Sequence, residues 1–274
     1  MTDQPLVSIV MAAYNGQNFL KKQLDSLFMQ TYKNIEIIAC DDCSTDSTIS
    51  ILKSYSSVKV LQNEQNIGFV KTFEKVISAA KGKYIALCDQ DDVWLPEKIE
   101  TLVKEIGDNV LIHSDAYLID ESDNIISNTA SLKVKKFLRN KTFTDFLKSN
   151  SVTGCTLMLK KELLNTAIPF PKNTQYHDWW LAICAAKYGK IKYLDMPLVK
   201  YRMHASNASF NFYRNKIAFL KQSRKFYSEV LSRFKTSLSL KEFIILKLYT
   251  FYFFIFVRLL IKTGLISPEN PKSL

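Results

Sequence analysis

The sequence contains no uncharged apolar run long enough to cross a bilayer. Its most hydrophobic segment, residues 243–261, is interrupted by Lys247 and Arg258, whereas a spanning helix takes about 20 apolar residues. The first five residues, MTDQP, are polar and include no basic side chain, so the basic start of a secretory signal peptide is missing. On both grounds we expect neither a membrane-spanning nor an exported protein.

Cysteine is scarce, and the number of cysteines is odd. The five are Cys40, Cys43, Cys88, Cys155 and Cys184. Because most of them sit in or beside apolar runs, we expect buried, reduced thiols in a cytosolic protein. Cys40 and Cys43 have Cys-x-x-Cys spacing, but the two aspartates between them disfavour the thiolate that a redox pair or a zinc site needs.

Positive charge is concentrated near the end of the chain. The formal net charge is +11, and residues 214–262 contain eleven Lys and Arg against two Glu. Such asymmetry favours an anionic partner surface. The segment lacks a nucleic-acid recognition motif, so we expect no nucleic-acid partner. Instead, we predict that residues 211–262 form a helical tail at the membrane surface, with Lys247 and Arg258 on one side. A core or dimer helix is the alternative.

Strand-like and helix-like patterns alternate in the first part of the chain. Short apolar runs predict strands at 6–12, 35–40, 58–61 and 84–88. Helical spacing and start signals predict helices at 19–30, around 51–52, at 69–80 and from 96 to 103. This alternation predicts a parallel sheet with helices on both faces.

The pattern changes after about residue 110. Here the sequence predicts strands at 110–114, 154–159 and 191–195, a polar loop at 127–141, a helix at 176–188 and a basic helical segment from 211. His113 lies in one of these strands, and we expect it to be structural.

Carboxylates cluster directly after two of the predicted strands. Asp41 and Asp42 follow one strand, and three aspartates within 89–92 follow another. Ligands of α/β sheets bind beyond the carboxyl ends of the strands. Packed like charges need a counter-charge, and a hard divalent cation supplies it while keeping positions open for phosphate oxygens. Two clusters at equivalent ends favour a metal-diphosphate site over a solvated acidic turn.

Five motifs together resemble the family 2 glycosyltransferases. They lie in the family's order over roughly residues 5–205, at 7–15, 41–48, 66–68, 89–92 with Pro96, and 177–179. The resemblance implies an α/β fold of glycosyltransferase A type, which is a Rossmann-like mixed sheet flanked by helices, here followed by a C-terminal helical tail. It also implies a nucleotide-sugar donor, Mn²⁺ or Mg²⁺, and usually inversion at the anomeric carbon.

The resemblance assigns roles residue by residue. Asp178 matches the general base, Asp42 the residue that meets the donor base, and Asp91 the metal contact. Asp89 and His204 match further groups near the metal or diphosphate. The donor-binding set is Ala13, Tyr14, Asp41, Asp42, Asn66, Gly68, Lys71, Asp89 and Gln90. We expect the acceptor to meet Trp179, Trp180 and Gly154.

The chain departs from the family pattern at a few positions. Cys43 replaces the usual glycine after the paired aspartates, and His177 replaces the common glutamate before Asp178. The Gln-x-x-Arg-Trp motif of processive synthases is absent, which favours addition of a single sugar. Apolar neighbours around Asp178 would raise its pKa and make it a better base.

Together these features predict a transferase with two halves and a tail. Residues 1–110 would bind the donor, 111–210 the acceptor, and 211–274 the membrane. The predicted reaction moves one sugar from a UDP- or dTDP-linked donor to a lipid-linked glycan of a bacterial surface polysaccharide, at the cytoplasmic face of the cell membrane. The alternatives are a donor-binding pseudoenzyme and a phospho-receiver module, although a receiver's acidic pair should follow the first strand.

Overall fold

The computed structural model describes residues 4–130, 141–205, 207 and 216–262. The chain forms two compact units. The first contains the chain up to Pro169 together with His177–Met203, and the second contains Phe170–Tyr176 together with the chain from His204 onward.

A mixed β-sheet organises the first unit. Its strands are β1 (Val7–Ala13), β2 (Ile35–Asp41), β3 (Val58–Gln62), β4 (Tyr84–Cys88), β5 (Val93–Trp94), β6 (Leu111–Ile119), β7 (Ile125–Ser127), β8 (Leu157–Lys160) and β9 (Ile191–Arg202). The strand order is β3-β2-β1-β4-β8-β6-β9-β5, with β7 paired to β6. Strands β3, β2, β1 and β4 are mutually parallel, whereas β8 runs antiparallel to β4 and β6.

Helices cover the sheet and connect its strands. In the first unit they are α1 (Leu20–Phe28), α2 (Thr48–Ser54), α3 (Phe69–Ser78), α4 (Lys98–Glu105), α5 (Phe143–Lys148), α6 (Leu164–Ala167) and α7 (His177–Tyr188). The second unit contains α8 (Lys216–Phe234) and α9 (Leu240–Lys262).

The core forms because the central strands are apolar along their whole length. All five residues of β4 are buried, as expected for a parallel strand covered on both faces. Helix α3 contributes Phe73, Val76 and Ile77 at helical spacing, and all three are buried. The two-sided burial holds the carboxyl ends of β1, β2 and β4 at one edge.

Several elements differ from the sequence-based prediction. Residues Gly154–Thr156 form a 3₁₀ turn before β8, so the predicted strand begins later. Strand β9 continues to Arg202, well past the predicted end, because it pairs with β6 as far as Ile119. The short strands β5 and β7 were not predicted. Strand β5 has only two residues and pairs with β9, about 100 residues further along the chain, whereas the three-residue β7 forms a short hairpin with β6. Most of the predicted 127–141 loop lies outside the described residues.

Helices α8 and α9 pack against each other in the second unit. Tyr227 stacks on Tyr249 with ring centroids 5.3 Å apart, and Val230, Phe234 and Leu246 are buried. The other side of α9 exposes an apolar stripe at helical spacing: Leu240, Ile244, Leu248, Phe251, Tyr252 and Ile255. Among the described helices, none combines the length and the apolar character needed to traverse a bilayer.

Candidate active site

The strand register brings the two acidic motifs to the same edge of the sheet. Ala13 at the end of β1 lies opposite Asp41 at the end of β2. Two residues earlier, Met11 lies opposite Cys88, the last residue of β4. Tyr14, Asp42 and Asp89, which follow these strands, therefore leave the sheet side by side.

Asp42 holds a loop against the end of β2. Its carboxylate accepts hydrogen bonds from Asn63 Nδ2 at 2.8 Å, Ile67 N at 2.9 Å and Gly68 N at 2.9 Å. Gly68 has a φ of +84°, a conformation that glycine adopts without strain, and Asn66 Oδ1 also accepts its N–H. The carboxylate predicted to meet the donor base thus shapes the loop that carries Asn66 and Gly68.

Asp41 is fully buried behind Asp42. Its Oδ2 accepts the backbone N–H of Ser44 at 3.2 Å, whereas Oδ1 has no hydrogen-bond partner in the described part of the chain. Cys43, which takes the place of the usual glycine, has a φ of +65°. The substitution therefore keeps the left-handed turn, although only glycine adopts this conformation freely.

Gln90 ties the acidic motif to the loop after β1. Its Oε1 accepts the Tyr14 N–H at 2.8 Å, and its Nε2 donates to the Tyr14 carbonyl at 3.0 Å. The amide lies over Gly16, where an added Cβ would come within 2.3 Å of Oε1. Gln90 thus contacts protein main chain at its amide end. Lys71, another predicted donor residue, pairs with Glu74 at 2.6 Å on α3.

Asp89 and Asp92 form an acidic cluster with the thiol of Cys155. One carboxylate oxygen of each aspartate and the Cys155 Sγ all lie within 4.8 Å of one another. Burial, and then the charges of Asp92 and Asp91, raise the pKa of Asp89 well above its usual value. Burial and the charge of Asp91 raise the pKa of Asp92 to about 7. Ionisation of these carboxyl groups is therefore unfavourable in the protein alone, and a cation bound between them would stabilise their ionised forms.

The donor atoms of this cluster fit a hard divalent cation. Carboxylate oxygens are the ligands that Mg²⁺ and Mn²⁺ prefer. Burial raises the pKa of Cys155, and its thiol is hydrogen-bonded to Asp92, so it orients a carboxylate and is a poor ligand. The predicted metal set named Asp89 and Asp91 but missed Asp92. His204 belongs to the second unit, and its metal role stays a prediction.

A buried lysine lies beneath the acidic cluster. Lys98, at the start of α4, has no exposed surface, and its Nζ donates to the Cys155 carbonyl and lies 3.1 Å from the ring centroid of Trp94. Burial lowers its pKa to about 7, while the nearby Asp92 and Asp89 act in the opposite direction. When Lys98 is protonated it therefore supplies part of the counter-charge, which the sequence led us to expect from a metal alone. The only sequence signal for the burial of Lys98 was its spacing of four residues from Leu102 on the predicted helix.

Asp178 lies in the first turn of α7, where the helix dipole favours an anion. Its Oδ1 accepts hydrogen bonds from Asn150 Nδ2 at 3.0 Å and Trp179 N at 2.6 Å. Burial raises its pKa to about 6, and these hydrogen bonds lower it in opposition. The Asp178 charge in turn raises the pKa of Asp89. The predicted base therefore lies close enough to Asp89 for their charges to interact.

His177 is a neutral, enclosed ring beside Asp178. It stacks on Phe73 with centroids 3.8 Å apart and meets Phe69 edge-on. Burial lowers its pKa to about 3. An added Cβ at Gly154 would lie 3.0 Å from His177 Nε2, and the Gly154 backbone hydrogen-bonds to Asp178. Gly154 therefore lets these two side chains approach the 3₁₀ turn, whereas its predicted acceptor contact stays a prediction.

The placement of the two tryptophans argues against their predicted role as an acceptor platform. Trp180 has no exposed surface and Trp179 is only 7% exposed. Their indole N–H groups donate to the carbonyls of Ala167 and Phe146, at 2.8 and 2.6 Å. Both rings are core side chains, because the first nine residues of α7 are buried on every face. His113 is likewise buried, against Tyr193.

Comparisons with known proteins agree with this geometry. A family model described as "Glycosyl transferase family 2" matches residues 8–167. The chain is 30% identical to the Escherichia coli UDP-Glc:alpha-D-GlcNAc-diphosphoundecaprenol beta-1,3-glucosyltransferase WfgD, over 76% of this chain and 81% of that protein.

Two solved structures share the fold at low sequence identity. S. aureus TarS 1–349 in complex with UDP-GlcNAc has a TM-score of 0.67 and 19% identity, covering 96% of this chain and 76% of that chain. The mannosyltransferase PcManGT from Pyrobaculum calidifontis, in complex with GDP-Man and Mn²⁺, has a TM-score of 0.65 and 16% identity, covering 98% and 78%. The predicted fold class is confirmed.

Replacing Asp42 should loosen the loop that it holds. In Asp42→Ala, the Ile67 N–H loses its acceptor, and the Gly68 N–H keeps only the longer contact to Asn66 Oδ1. Loss of an acceptor by a buried N–H typically costs about 1–3 kcal/mol. We expect hydrogen exchange at these two amides to become faster by at least tenfold. Asn66→Ala, which removes only a 3.2 Å contact to Gly68, is the matched control. Equal exchange in both variants would contradict the assignment.

Proposed function

Because the chain belongs to glycosyl transferase family 2, we propose that it transfers a single sugar, with inversion, from a nucleoside-diphosphate sugar to a hydroxyl of a lipid-linked glycan. The observation that carries the proposal is the proximity of buried Asp178 to the acidic cluster: the Gly154 backbone hydrogen-bonds to Asp178, the next residue, Cys155, lies in the cluster with Asp89 and Asp92, and the Asp178 charge raises the pKa of Asp89. In the proposed mechanism, Asp178 acts as the base opposite the bound diphosphate. The product would be a bacterial surface polysaccharide.

The donor is proposed to lie along the carboxyl ends of β1, β2 and β4. Asp41 supports this placement, because its buried Oδ1 lacks a hydrogen-bond partner among the described residues. Tyr14 adds a side chain that is 44% exposed at the same edge. The names of WfgD and of the TarS complex both specify a uridine nucleotide, which favours UDP over dTDP as the donor nucleotide.

Asp89, Asp91 and Asp92 are proposed to hold Mn²⁺ or Mg²⁺ at the diphosphate. When bound there, the cation would neutralise charge on the leaving nucleoside diphosphate. Asp92 is held by the Arg202 backbone N–H at 2.9 Å, so its direction is fixed. The PcManGT structure, whose name includes Mn²⁺, supports this choice of ion.

Asp178 is proposed to take the proton from the attacking hydroxyl. A carboxylate with a pKa near 6 is mostly ionised at neutral pH, yet basic enough to accept a proton in the transition state. Asn150 and the Trp179 N–H fix Oδ1, which restricts rotation of the carboxylate. Inversion follows if Asp178 acts on the face of the sugar opposite the leaving group.

The apolar stripe of α9 is proposed to lie on the cytoplasmic face of the cell membrane. Leu248, Phe251 and Tyr252 are each more than half exposed, and Lys247 lies beside Ile244, Leu248 and Phe251, as basic residues do in helices that bind anionic interfaces. The acceptor named for WfgD is carried on diphosphoundecaprenol, a lipid. A membrane-bound tail would keep the enzyme beside such an acceptor.

Family membership excludes the phospho-receiver alternative. A donor-binding pseudoenzyme would bind the nucleotide sugar without transferring it. The variants below separate binding from transfer and so distinguish these two outcomes.

Asp178→Asn should abolish transfer and leave donor binding intact. Loss of a general base typically lowers the rate by about 10²–10⁴-fold, while UDP binding in Mn²⁺, followed by calorimetry, should not change. In the unmodified enzyme, the rate should fall as the pH drops through about 6, because Asp178 becomes protonated.

Asn150→Ala is the matched variant for this pH dependence. The Asn150 hydrogen bond lowers the pKa of Asp178, so its removal should move the midpoint of the rate profile to higher pH. Near-normal turnover in Asp178→Asn, or an unmoved midpoint in Asn150→Ala, would argue against Asp178 as the base.

Asp91→Ala should remove metal-dependent nucleotide binding. Calorimetric titration of UDP should show enhancement by Mn²⁺ in the unmodified protein and none in the variant, because a carboxylate near the diphosphate has been lost. Asp108→Ala, at an exposed aspartate before β6, is the control and should behave as the unmodified protein. Identical Mn²⁺ enhancement in Asp91→Ala would exclude Asp91 from the metal site.

Charges placed in the α9 stripe should release the protein from membranes. We expect the double variant Leu248→Glu with Phe251→Glu to lose most of its sedimentation with phosphatidylglycerol-containing vesicles. Ile125→Glu with Ile126→Glu adds the same charge at two exposed isoleucines of β7 and should still sediment. Unchanged sedimentation of the α9 variant, or its conversion from dimer to monomer instead, would favour an interface between chains.

A further inference from the structure

Arg202 is a fully buried charged residue, which is rare in proteins. It is the last residue of β9, lies opposite Ile119 of β6, and has no exposed surface. Burial of a guanidinium is strongly unfavourable unless its N–H groups find acceptors. Its contacts therefore reveal what the structure gains from keeping it.

One side of Arg202 holds the acidic turn. Its backbone N–H donates to Asp92 Oδ1 at 2.9 Å, and its Nε donates to the Asp91 carbonyl at 2.8 Å. The first bond aims a carboxylate and the second fixes the main chain that carries its neighbour. A single residue of β9 thus determines the position of both aspartates.

The other side of Arg202 is anchored on the turn after β6. Nη1 donates to the carbonyls of Asp120 and Glu121 at 2.9 and 3.3 Å, and Nη2 pairs with Asp123 at 2.6 Å. The guanidinium also lies 4.6 Å from the ring centroid of Phe19.

The planar guanidinium fixes the angle between the Nε contact to the Asp91 carbonyl and the Nη contacts to the 120–123 turn. Lysine carries the same charge but has no such geometry. Any movement of the acidic turn must therefore break hydrogen bonds that the buried guanidinium donates. The contacts with the turn at 120–123 hold the other end of the guanidinium in place.

We propose that Arg202 is a positioning residue for the diphosphate site, which sets the direction of the Asp91–Asp92 turn and acts only through these two aspartates. The inference rests on the proposed function, because it assigns Arg202 to the cation and diphosphate that this turn would bind. It extends that function by assigning to the buried Arg202 guanidinium a role in shaping the site, although this side chain does not line it.

Arg202→Lys is the test, with UDP as the probe. We expect the Mn²⁺ concentration for half-maximal UDP binding to rise about tenfold, the usual effect of losing a hydrogen bond to a charged group. Ile119→Val, a change in the core beside Arg202, is the control for lost stability. It should lower the melting temperature and leave the Mn²⁺ midpoint unchanged.

Asp123→Asn provides a second variant in case Arg202→Lys does not fold. It weakens the anchor at Nη2 and keeps the Asp91 contact, so it should shift the Mn²⁺ midpoint in the same direction by a smaller factor. A midpoint equal to that of Ile119→Val, in every Arg202 or Asp123 variant that folds, would overturn the proposal.

Hydrogen exchange without ligand separates this inference from the proposed function. The amides of residues 91–93 should exchange faster in Arg202→Lys or Asp123→Asn than in Ile119→Val. If the unmodified protein does not bind UDP with Mn²⁺, the proposed function fails, and exchange at 91–93 alone decides whether Arg202 positions the turn. Unchanged exchange would overturn the Arg202 assignment.

Discussion

Mutual repulsion among carboxylates at one enclosed edge of the sheet is the constraint on which the rest of the structure depends. Asp89, Asp91 and Asp92 follow a fully buried strand, and Asp178 approaches them from α7. Repulsion is strong there because protein screens charge less than water does. Such an arrangement persists only if other parts of the fold stabilise it, and those parts come from distant points in the chain.

The stabilising groups are buried polar side chains of unlike kinds. Lys98 donates a hydrogen bond to the Cys155 carbonyl beside the cluster and interacts favourably with Asp92 and Asp89 when it is protonated. Arg202 donates hydrogen bonds to the Asp91 carbonyl and the Asp92 carboxylate. Asp42 does the equivalent for the neighbouring loop by accepting three N–H groups. The sheet edge is therefore rigid where a donor would bind, and the negative charge left there is available to a cation.

The sequence was sufficient to predict the strands and the acidic motifs, because apolar runs such as 84–88 can only be buried strands or helices and their carboxyl ends meet at one edge. The sequence could not identify Lys98 or Arg202, whose burial depends on partners 57 and 111 residues away. The sequence likewise could not show that the Trp180 ring is fully buried. A tryptophan beside a catalytic motif looks the same in sequence whether its ring faces a ligand or the core.

The reciprocal pairing of Gln90 with the main chain of Tyr14 extends the β1–β4 contact beyond the point where the strands end. Gln90, which stands between the aspartates of the acidic motif, therefore has a structural role of its own. Because the amide occupies the space above Gly16, a side chain at 16 would displace it and disrupt its two hydrogen bonds to Tyr14. A substitution at position 16 would therefore be tolerated best together with a substitution at position 90, so the two residues should change as a pair during evolution.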